Sequence, residues 1–342
     1  MRRFVALLFA TALIVSCSAS NDGASTTTAT SPATDPSATE VASTVTLTTV
    51  TPTTDAPVTT TSPASTDTAP IATGPTDAER ELIAARPFDV FAPSSYESST
   101  PMPLVVLLHG FGASGAIQEA YFRLQPQAES RGFLYVHPDG TVNQIGKQFW
   151  NATDACCGFA TTVDDSAYLM ALIHTVQSEY NVDPQRIYLV GHSNGGFMSY
   201  RMACDHADTI AAIVSLAGAT FADTSKCNPS EPVSVAQVHG TADGTIAFDG
   251  GTILGARHPG ATETAADWAA NNGCTGDAVD DATTVDLEAS IAGDESTITR
   301  YEGCPAGGAV ELWTIPGAAH IPALSDTFAG DIVDFLFAHP KP

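Results

Sequence analysis

Apolar residues in this chain fall into six short runs separated by segments with helical spacing. The runs are rich in β-branched residues, and each ends close to a Gly, Asn or Asp, which is typical of parallel strands joined by crossover helices. They predict a doubly wound, mostly parallel sheet, whose chemistry gathers beyond the carboxyl ends of the strands. The six runs are Leu104 to Leu108, Phe133 to Val136, Ile187 to Val190, Ile210 to Leu216, Val233 to Val238, and Val310 to Ile315.

One further apolar run, Phe4 to Val15, follows the basic start Met1-Arg2-Arg3. It is too short to span a bilayer as a helix, so residues 1–16 are expected to be a secretory signal. The run closes on Leu-Ile-Val-Ser before Cys17, which resembles the lipobox of bacterial lipoproteins. That resemblance implies that Cys17 becomes the first mature residue and carries lipid, the protein's only contact with a membrane. The alternative is ordinary secretion, with Cys17 lost in the signal.

The segment from Ser18 to Pro75 is dominated by Ser and Thr, and it has no Lys, Arg or aromatic residue. Such a composition cannot bury a core and predicts a disordered stalk, so residues 17–75 form the lipidated cysteine plus stalk. A ligand or adhesin role for the Thr-rich tract is the alternative. Residues 76–342 have the length of one large α/β domain.

The charge balance excludes one class of partner. The chain has 13 Lys plus Arg against 38 Asp plus Glu, a formal charge of −25, and it has only three lysines. Nucleic-acid binding needs clustered basic residues, so no nucleic-acid partner is expected.

We expect a monomer outside the cytoplasm, in the cell envelope.

A candidate nucleophile follows the third run. Residues 191–196 read Gly-His-Ser-Asn-Gly-Gly and are followed by helical spacing from Phe197. This is the G-x-S-x-G motif between a strand and a helix, where a strained turn exposes a serine hydroxyl to a cleft. Ser193 is therefore the candidate nucleophile, and it needs a base and a residue that orients the base.

In α/β-hydrolases the acid and then the histidine follow the serine in chain order, each after a later strand. Asp243 comes shortly after the run that ends at Val238, and His320 shortly after the run that ends at Ile315. We therefore predict Ser193, Asp243 and His320 as the catalytic residues. Asp249 is the alternative acid, because it lies in the same loop. His258 and His339 are the other histidines after Asp243, but neither directly follows a strand-like run.

An oxyanion that develops on the substrate needs backbone N–H donors, one after the nucleophile and one in the loop after the first strand. The corresponding groups are the amides of Asn194 and of a residue in the loop 109–114, for which we favour Phe111.

Several motifs occur together in one order: residues 107–114 (Leu-Leu-His-Gly-Phe-Gly-Ala-Ser), 163–165 (Val-Asp-Asp), 180–184 (Tyr-Asn-Val-Asp-Pro), 191–196, and 239–243 (His-Gly-Thr-Ala-Asp). From about Phe88 onward the chain resembles the esterase family of secreted polyhydroxybutyrate depolymerases and feruloyl esterases. The resemblance implies an α/β-hydrolase fold and serine hydrolysis of feruloyl-type or polyester substrates, polymeric esters among them. It also favours Trp150 as a substrate-binding aromatic. Phe111 and Phe197, which lie close to strand ends, are weaker candidates, and the alternative for all three is that they pack in the core.

The chain departs from that family at residues 317–322, Gly-Ala-Ala-His-Ile-Pro, where the family commonly has Gly-Gly-Gly-His followed by Trp. Only a short segment separates Leu216 from Val233, so no large lid domain is expected. A serine peptidase of the prolyl-oligopeptidase type and a non-catalytic binding protein on the same scaffold are the alternative functions.

Six cysteines follow Cys17, an even number that favours disulfides in an exported domain. We expect the pairs Cys204–Cys227 and Cys274–Cys304, which leaves Cys156–Cys157 as a pair of sequence neighbours. A zinc site is the rival interpretation, but the spacings match no common zinc motif. We expect neither a metal nor a cofactor.

Overall fold

A computed structural model describes residues 74–157 and 161–342 of the chain. Residues 1–16, expected to be a signal peptide, Cys17, expected to carry lipid, and nearly all of the expected stalk lie outside these residues, so those expectations remain predictions. None of the described helices is long and apolar enough to cross a membrane.

The centre of the domain is a mostly parallel sheet of eight strands, and two short hairpins lie outside it. The strands are β1 (Met102–Leu108), β2 (Leu134–Val136), β3 (Thr141–Val142), β4 (Gln148–Phe149), β5 (Val182–His192), β6 (Ala212–Leu216), β7 (Ser234–Gly240), β8 (Gly251–Ile253), β9 (Ala256–His258), β10 (Ala278–Asp280), β11 (Thr297–Tyr301) and β12 (Val310–Ile315). Their order in the sheet is β10-β11-β12-β7-β6-β5-β1-β2; the strands from β12 to β2 run parallel, and β11 pairs antiparallel with both β10 and β12. The hairpins are β3–β4 and β8–β9.

Helices connect the parallel strands and cover the sheet, and two buried apolar clusters lie against it. The helices are α1 (Asp77–Ala85), α2 (Gly115–Phe122), α3 (Leu124–Arg131), α4 (Asp165–Glu179), α5 (Asn194–Asp205), α6 (Ala261–Asn272) and α7 (Phe328–Ala338). All six apolar runs of the sequence are strands of this sheet, so the predicted α/β-hydrolase fold is confirmed. Between β6 and β7 the only helical element is the three-residue 3-10 helix Thr224–Lys226.

The start of α4 shows how the connections are fixed. Asp164 caps the helix, since its side chain accepts a hydrogen bond from the Ala167 amide. Asp165, the next residue, is buried and does not cap the helix. Its carboxylate accepts hydrogen bonds from the Arg86 guanidinium at 2.7 Å, the Thr141 hydroxyl at 2.9 Å and the Asn151 amide at 2.7 Å. One side chain therefore holds the end of α1, hairpin β3–β4 and the following loop against α4.

Candidate active site

Ser193 lies at a sharp turn between β5 and α5. Its backbone angles are φ 54° and ψ −119°, a conformation that L-residues other than glycine rarely adopt and that is characteristic of strained functional turns. The Ser193 amide donates a hydrogen bond of 2.8 Å to the carbonyl of Leu216 at the end of β6. The hydroxyl is therefore presented at the carboxyl edge of the sheet.

The glycines of the motif are needed because this turn is closely packed. A Cβ atom on Gly191 would lie 2.1 Å from the Gly195 carbonyl oxygen, and one on Gly195 would lie 2.1 Å from the carbonyl oxygen of Leu108 on β1. Neither clash involves a side chain that could move aside. Only glycine at these two positions lets β5, α5 and β1 approach closely enough to hold the serine in its strained turn.

The structure brings Ser193, His320 and Asp243 together in one hydrogen-bonded triad. His320 Nε2 lies 2.9 Å from the Ser193 hydroxyl oxygen, and His320 Nδ1 lies 2.7 Å from Asp243 Oδ2. A carboxylate can only accept from Nδ1–H, which leaves Nε2 to accept the serine proton. This is the arrangement required of a nucleophile, a base and a residue that orients the base.

The Asp243 carboxylate is buried, but hydrogen-bond donors surround it. Oδ1 accepts from the amides of Thr245 and Ile246, each at 2.8 Å, while Oδ2 faces His320 and His239. Burial by itself would raise the pKa of Asp243, yet the hydrogen bonds from His239, His320 and the Thr245 amide hold that pKa well below its usual range. The group therefore remains negatively charged and can stabilise a protonated imidazole.

The alternative acid and histidines have other positions. Asp249 is exposed, and the carboxylate in contact with His320 is that of Asp243. His258 is buried with Nδ1 3.0 Å from the Pro259 carbonyl oxygen, and His339 Nδ1 lies 2.7 Å from the Phe335 carbonyl oxygen. The geometry thus favours the residues predicted from chain order.

His192, next to the candidate nucleophile, contacts His320 of the triad. Its Nε2–H donates to the backbone carbonyl oxygen of His320 at 3.0 Å, and the two rings lie 5.2 Å apart. Burial, and secondarily the proximity of His320, lowers the pKa of His192 to about 4. A neutral His192 therefore fixes the backbone of the segment that carries His320.

The loop expected to supply an oxyanion donor lies beside Ser193. A Cβ atom on Gly110 would be 3.5 Å from Ser193 Cβ, so the backbone leading to Phe111 passes next to the serine. His109 anchors this loop: Nδ1 lies 2.8 Å from the Gly110 carbonyl oxygen, and Nε2 accepts from the Gly140 amide at 2.8 Å. Asn194 opens α5, and the first amides of a helix have no partner within the helix.

Trp150 does not lie where the resemblance placed it. The side chain is fully buried, and its indole N–H donates to the His109 carbonyl oxygen at 3.1 Å. Its backbone is paired with the side chain of Asn194, which accepts from the Trp150 amide at 2.7 Å and donates to the Trp150 carbonyl at 2.8 Å. Trp150 therefore offers no surface to a substrate and holds the loop against α5 instead. Phe197 is also fully buried, so it too is a core residue.

Phe111, in the loop that passes beside Ser193, lines an apolar groove of about 550 Å³. Hairpin β3–β4 forms one wall of this groove, and Leu254, at the turn of hairpin β8–β9, contributes to another. Ile145 and Leu254 project at the two hairpin turns with 76% and 83% of their surface exposed. Neither residue was predicted from the sequence, although a large aliphatic residue next to glycine at a turn, Ile145-Gly146 and Leu254-Gly255, is a signal for them.

The six cysteines of the domain form three disulfides. The pairs are Cys204–Cys227, which joins α5 to the segment after Thr224–Lys226, Cys274–Cys304, and the adjacent residues Cys156–Cys157. No group of three or more His, Cys, Asp or Glu side chains in the described ranges is arranged to hold a metal ion.

Comparisons with known proteins agree with the fold. Residues 103–262 match a family model described as the alpha/beta hydrolase fold. The chain is 30% identical over 241 residues to Feruloyl esterase B of Piromyces equi. The aligned segment covers 67% of this chain but only 41% of that protein. It is 26% identical over 263 residues to Feruloyl esterase D of Neurospora crassa, covering 72% of this chain and 78% of that protein.

A solved structure shares the fold. The acetyl xylan esterase from Aspergillus awamori superposes with a TM-score of 0.52 at 16% identity, covering 72% of this chain and 92% of that one. The chain spans well under two thirds of the length of the Piromyces relative. The eight-stranded sheet, the serine turn at its carboxyl edge and these matches together show that the chain has the α/β-hydrolase fold.

Proposed function

We propose that this protein is a serine carboxylic-ester hydrolase that works through an acyl-enzyme. The observation that carries the proposal is the triad, in which His320 contacts both the Ser193 hydroxyl, at 2.9 Å, and the Asp243 carboxylate, at 2.7 Å. The names of the relatives, which include feruloyl esterases, support an ester as the substrate.

The reaction runs in two halves. Ser193 Oγ attacks the ester carbonyl carbon while His320 Nε2 takes the hydroxyl proton, and Asp243 stabilises the resulting imidazolium. His320 then gives this proton to the alkoxide, the ester C–O bond breaks, and the alcohol leaves an acyl group on Ser193. In the second half His320 Nε2 takes a proton from water, whose oxygen attacks the acyl carbon; the bond between that carbon and Ser193 Oγ then breaks, the acid leaves, and His320 returns the proton to Ser193 Oγ. The amides of Asn194 and Phe111 stabilise the oxyanion of each tetrahedral intermediate.

The finer proposal is that the substrate is an ester with a bulky apolar group, of the feruloyl or polyester type. The apolar groove beside Phe111 supports it, because its volume of about 550 Å³ far exceeds an acetyl group and its walls are largely apolar. The short connection between β6 and β7 supports access by a polymeric chain, since it contributes no lid over the serine.

Hydrolysis of short p-nitrophenyl esters by the wild type and by Ser193→Ala tests the activity. We expect the variant to lose activity by orders of magnitude without unfolding, while the matched control Ser178→Ala, an exposed serine on α4, keeps it. An inactive wild type, or equal rates for wild type and Ser193→Ala, rejects the proposal and favours a binding protein. A preference for prolyl p-nitroanilides over every ester would favour a peptidase.

A substrate panel tests the finer proposal. Methyl ferulate, polyhydroxybutyrate and an aromatic polyester film carry bulky apolar groups, whereas acetylated xylan carries a small acyl group. We expect higher kcat/KM for methyl ferulate than for small acetyl esters, and release of soluble products from at least one polyester. Activity confined to acetylated xylan would contradict it.

We also propose that the protein acts outside the cytoplasm. The three disulfides support this location, because such bonds persist in oxidising compartments. Anchoring through a lipid on Cys17 rests on the sequence pattern. Expression of the full chain in a bacterium is expected to give a membrane-associated protein, and Cys17→Ala a soluble one. Equal fractionation of the two forms would favour ordinary secretion.

A further inference from the structure

A chain of buried polar side chains extends from Asp243 into the core. Gln237 and His239 lie two residues apart on β7, and therefore on the same face of the sheet, while Tyr200 lies on α5. All three side chains are essentially inaccessible to solvent. Burying so many polar atoms is costly unless each is paired, so their hydrogen bonds define the arrangement.

The direction of each hydrogen bond in this chain is determined. Gln237 Nε2 lies 2.8 Å from the Gly218 carbonyl oxygen, which can only accept, so this end of the amide is the NH2 group. The other end, Oε1, accepts from the Tyr200 hydroxyl at 2.7 Å. Gln237 Nε2 also lies 3.0 Å from His239 Nδ1. Because Gln237 is the donor in this contact, Nδ1 of His239 accepts and its ring proton is on Nε2.

That proton lies beside the acid of the site. His239 Nε2–H donates to the Ile246 carbonyl oxygen at 2.8 Å, and the same nitrogen lies 3.2 Å from Asp243 Oδ2. The His320 ring donates to the same Oδ2 from the other side, at 2.7 Å. The titratable groups around the carboxylate are thus His239 and His320, with the His192 ring 5.2 Å beyond His320.

We propose that His239 is a positioning residue for Asp243, and that Gln237 fixes the His239 tautomer that this task requires. His239 Nε2–H holds Oδ2 at the place where it receives His320 Nδ1–H, and the Ile246 carbonyl keeps the loop closed around the carboxylate. With the opposite tautomer, an unprotonated Nε2 would face two oxygen atoms and repel both. This inference rests on the proposed ester hydrolysis, because its effect is exerted through Asp243 and His320.

Three variants test the inference. His239→Leu keeps the bulk but removes the donor, and we expect kcat to fall about 10- to 100-fold with little change in KM, since the substrate is not contacted. Glutamine places an N–H near the position of the histidine Nε2, so we expect His239→Gln to recover most of the lost kcat. Ser234→Ala is the matched control: Ser234 is equally buried on β7 and accepts from the Ala309 amide at 3.2 Å, away from the site.

The pH profile separates positioning from a merely structural role. A carboxylate with one donor fewer holds a protonated imidazole more strongly, so the acid limb of kcat/KM should move to higher pH in His239→Leu and not in Ser234→Ala. A folded His239→Leu with wild-type kcat and profile overturns the inference while leaving the proposed function intact. An inactive wild type overturns the proposed function instead.

A measurement on the wild type keeps the inference testable even where His239→Leu fails to fold. Side-chain ¹⁵N spectra, with the His239 signals assigned by their absence in His239→Gln, report the position of the ring proton independently of activity. We expect the His239 ring proton on Nε2. A proton on Nδ1 would overturn the inference.

Discussion

His192 and His320 lie ring against ring with their centroids 5.2 Å apart, and His192 donates a hydrogen bond to the backbone of His320 rather than to its side chain. Two imidazoles so close together cannot both be positively charged without mutual repulsion. His192 is also buried, so its neutral form supports the native structure. The contact therefore joins the stability of the fold to the position of the proposed base.

The first prediction concerns acid stability. The pKa of His192 is lowered from 6.5 to about 4 in the folded protein, so between these values the unfolded chain binds more protons. The contribution of His192 to the free energy of unfolding therefore falls as the pH falls, by about 2 kcal/mol between pH 7 and pH 5. Urea unfolding at the two pH values measures this. His192→Gln, which can keep a donor for the His320 carbonyl, should show a smaller pH dependence. An unchanged dependence would mean that other buried groups carry it.

The second prediction separates the two candidate acids. Asp243→Asn keeps the shape of the side chain, but the amide can donate to Nδ1 and so favour the wrong tautomer of His320. We expect kcat to fall by about a factor of a thousand or more. Asp249→Asn, an exposed neighbour in the same loop, should keep the wild-type rate. A large loss in Asp249→Asn and a small one in Asp243→Asn would reverse the assignment.

The third prediction uses the glycines of the serine turn. Gly195→Ala would place Cβ 2.1 Å from the Leu108 carbonyl oxygen, so we expect it to lower the free energy of unfolding by about 3 kcal/mol and to abolish activity. Gly330, inside α7, has no atom within 4 Å of the place that a Cβ would occupy. Gly330→Ala should stabilise the protein by about 0.5–1 kcal/mol. Urea unfolding checks both, and a fully active, stable Gly195→Ala would refute the close packing of the turn.

The fourth prediction concerns the groove. Leu254 and Gly255 form the two-residue turn between β8 and β9 with φ values of 49° and 88°, a geometry that favours Asn-Gly. Leu254→Asn should therefore stabilise the hairpin while removing an exposed apolar side chain from the groove. We expect KM for bulky apolar esters to rise several-fold and KM for p-nitrophenyl acetate to stay unchanged.

Ile145→Ser extends that test to the opposite hairpin, whose turn has the same exposed aliphatic character. A rise in KM for the acetate as large as that for the bulky esters would show that the hairpins act on the serine turn rather than on the substrate's apolar group.

The sequence was sufficient for the parallel part of the sheet, because a strand buried on both faces must be a short run of apolar residues. The positions of Ser193, Asp243 and His320 also followed, since each comes after such a run and the carboxyl ends of parallel strands share one edge. Strands β10 and β11 lacked this signal: Ala278–Asp280 is exposed throughout, and Thr297–Tyr301 is only partly buried.

The surroundings of the site were harder to predict, because they depend on contacts between distant segments. Trp150 is a residue type that often lines substrate clefts, and only its packing against His109 and Asn194 shows that it is internal. Asp165 lies in the first turn of α4, but its partners Arg86 and Thr141 lie 79 and 24 residues away in the chain. No local pattern encodes such pairings.

Asp165 anchors hairpin β3–β4 at a point away from the reacting groups. The hairpin pairs through only two residues on each strand, so contacts outside it fix its position: the Thr141 hydroxyl and the Asn151 amide bind the Asp165 carboxylate, and the Gln148 carbonyl accepts from the Gly112 amide. None of these contacts involves the side chains of Ser193, His320 or Asp243. Changes in the turn between the two strands are therefore expected to reshape the groove while the reacting groups stay in place.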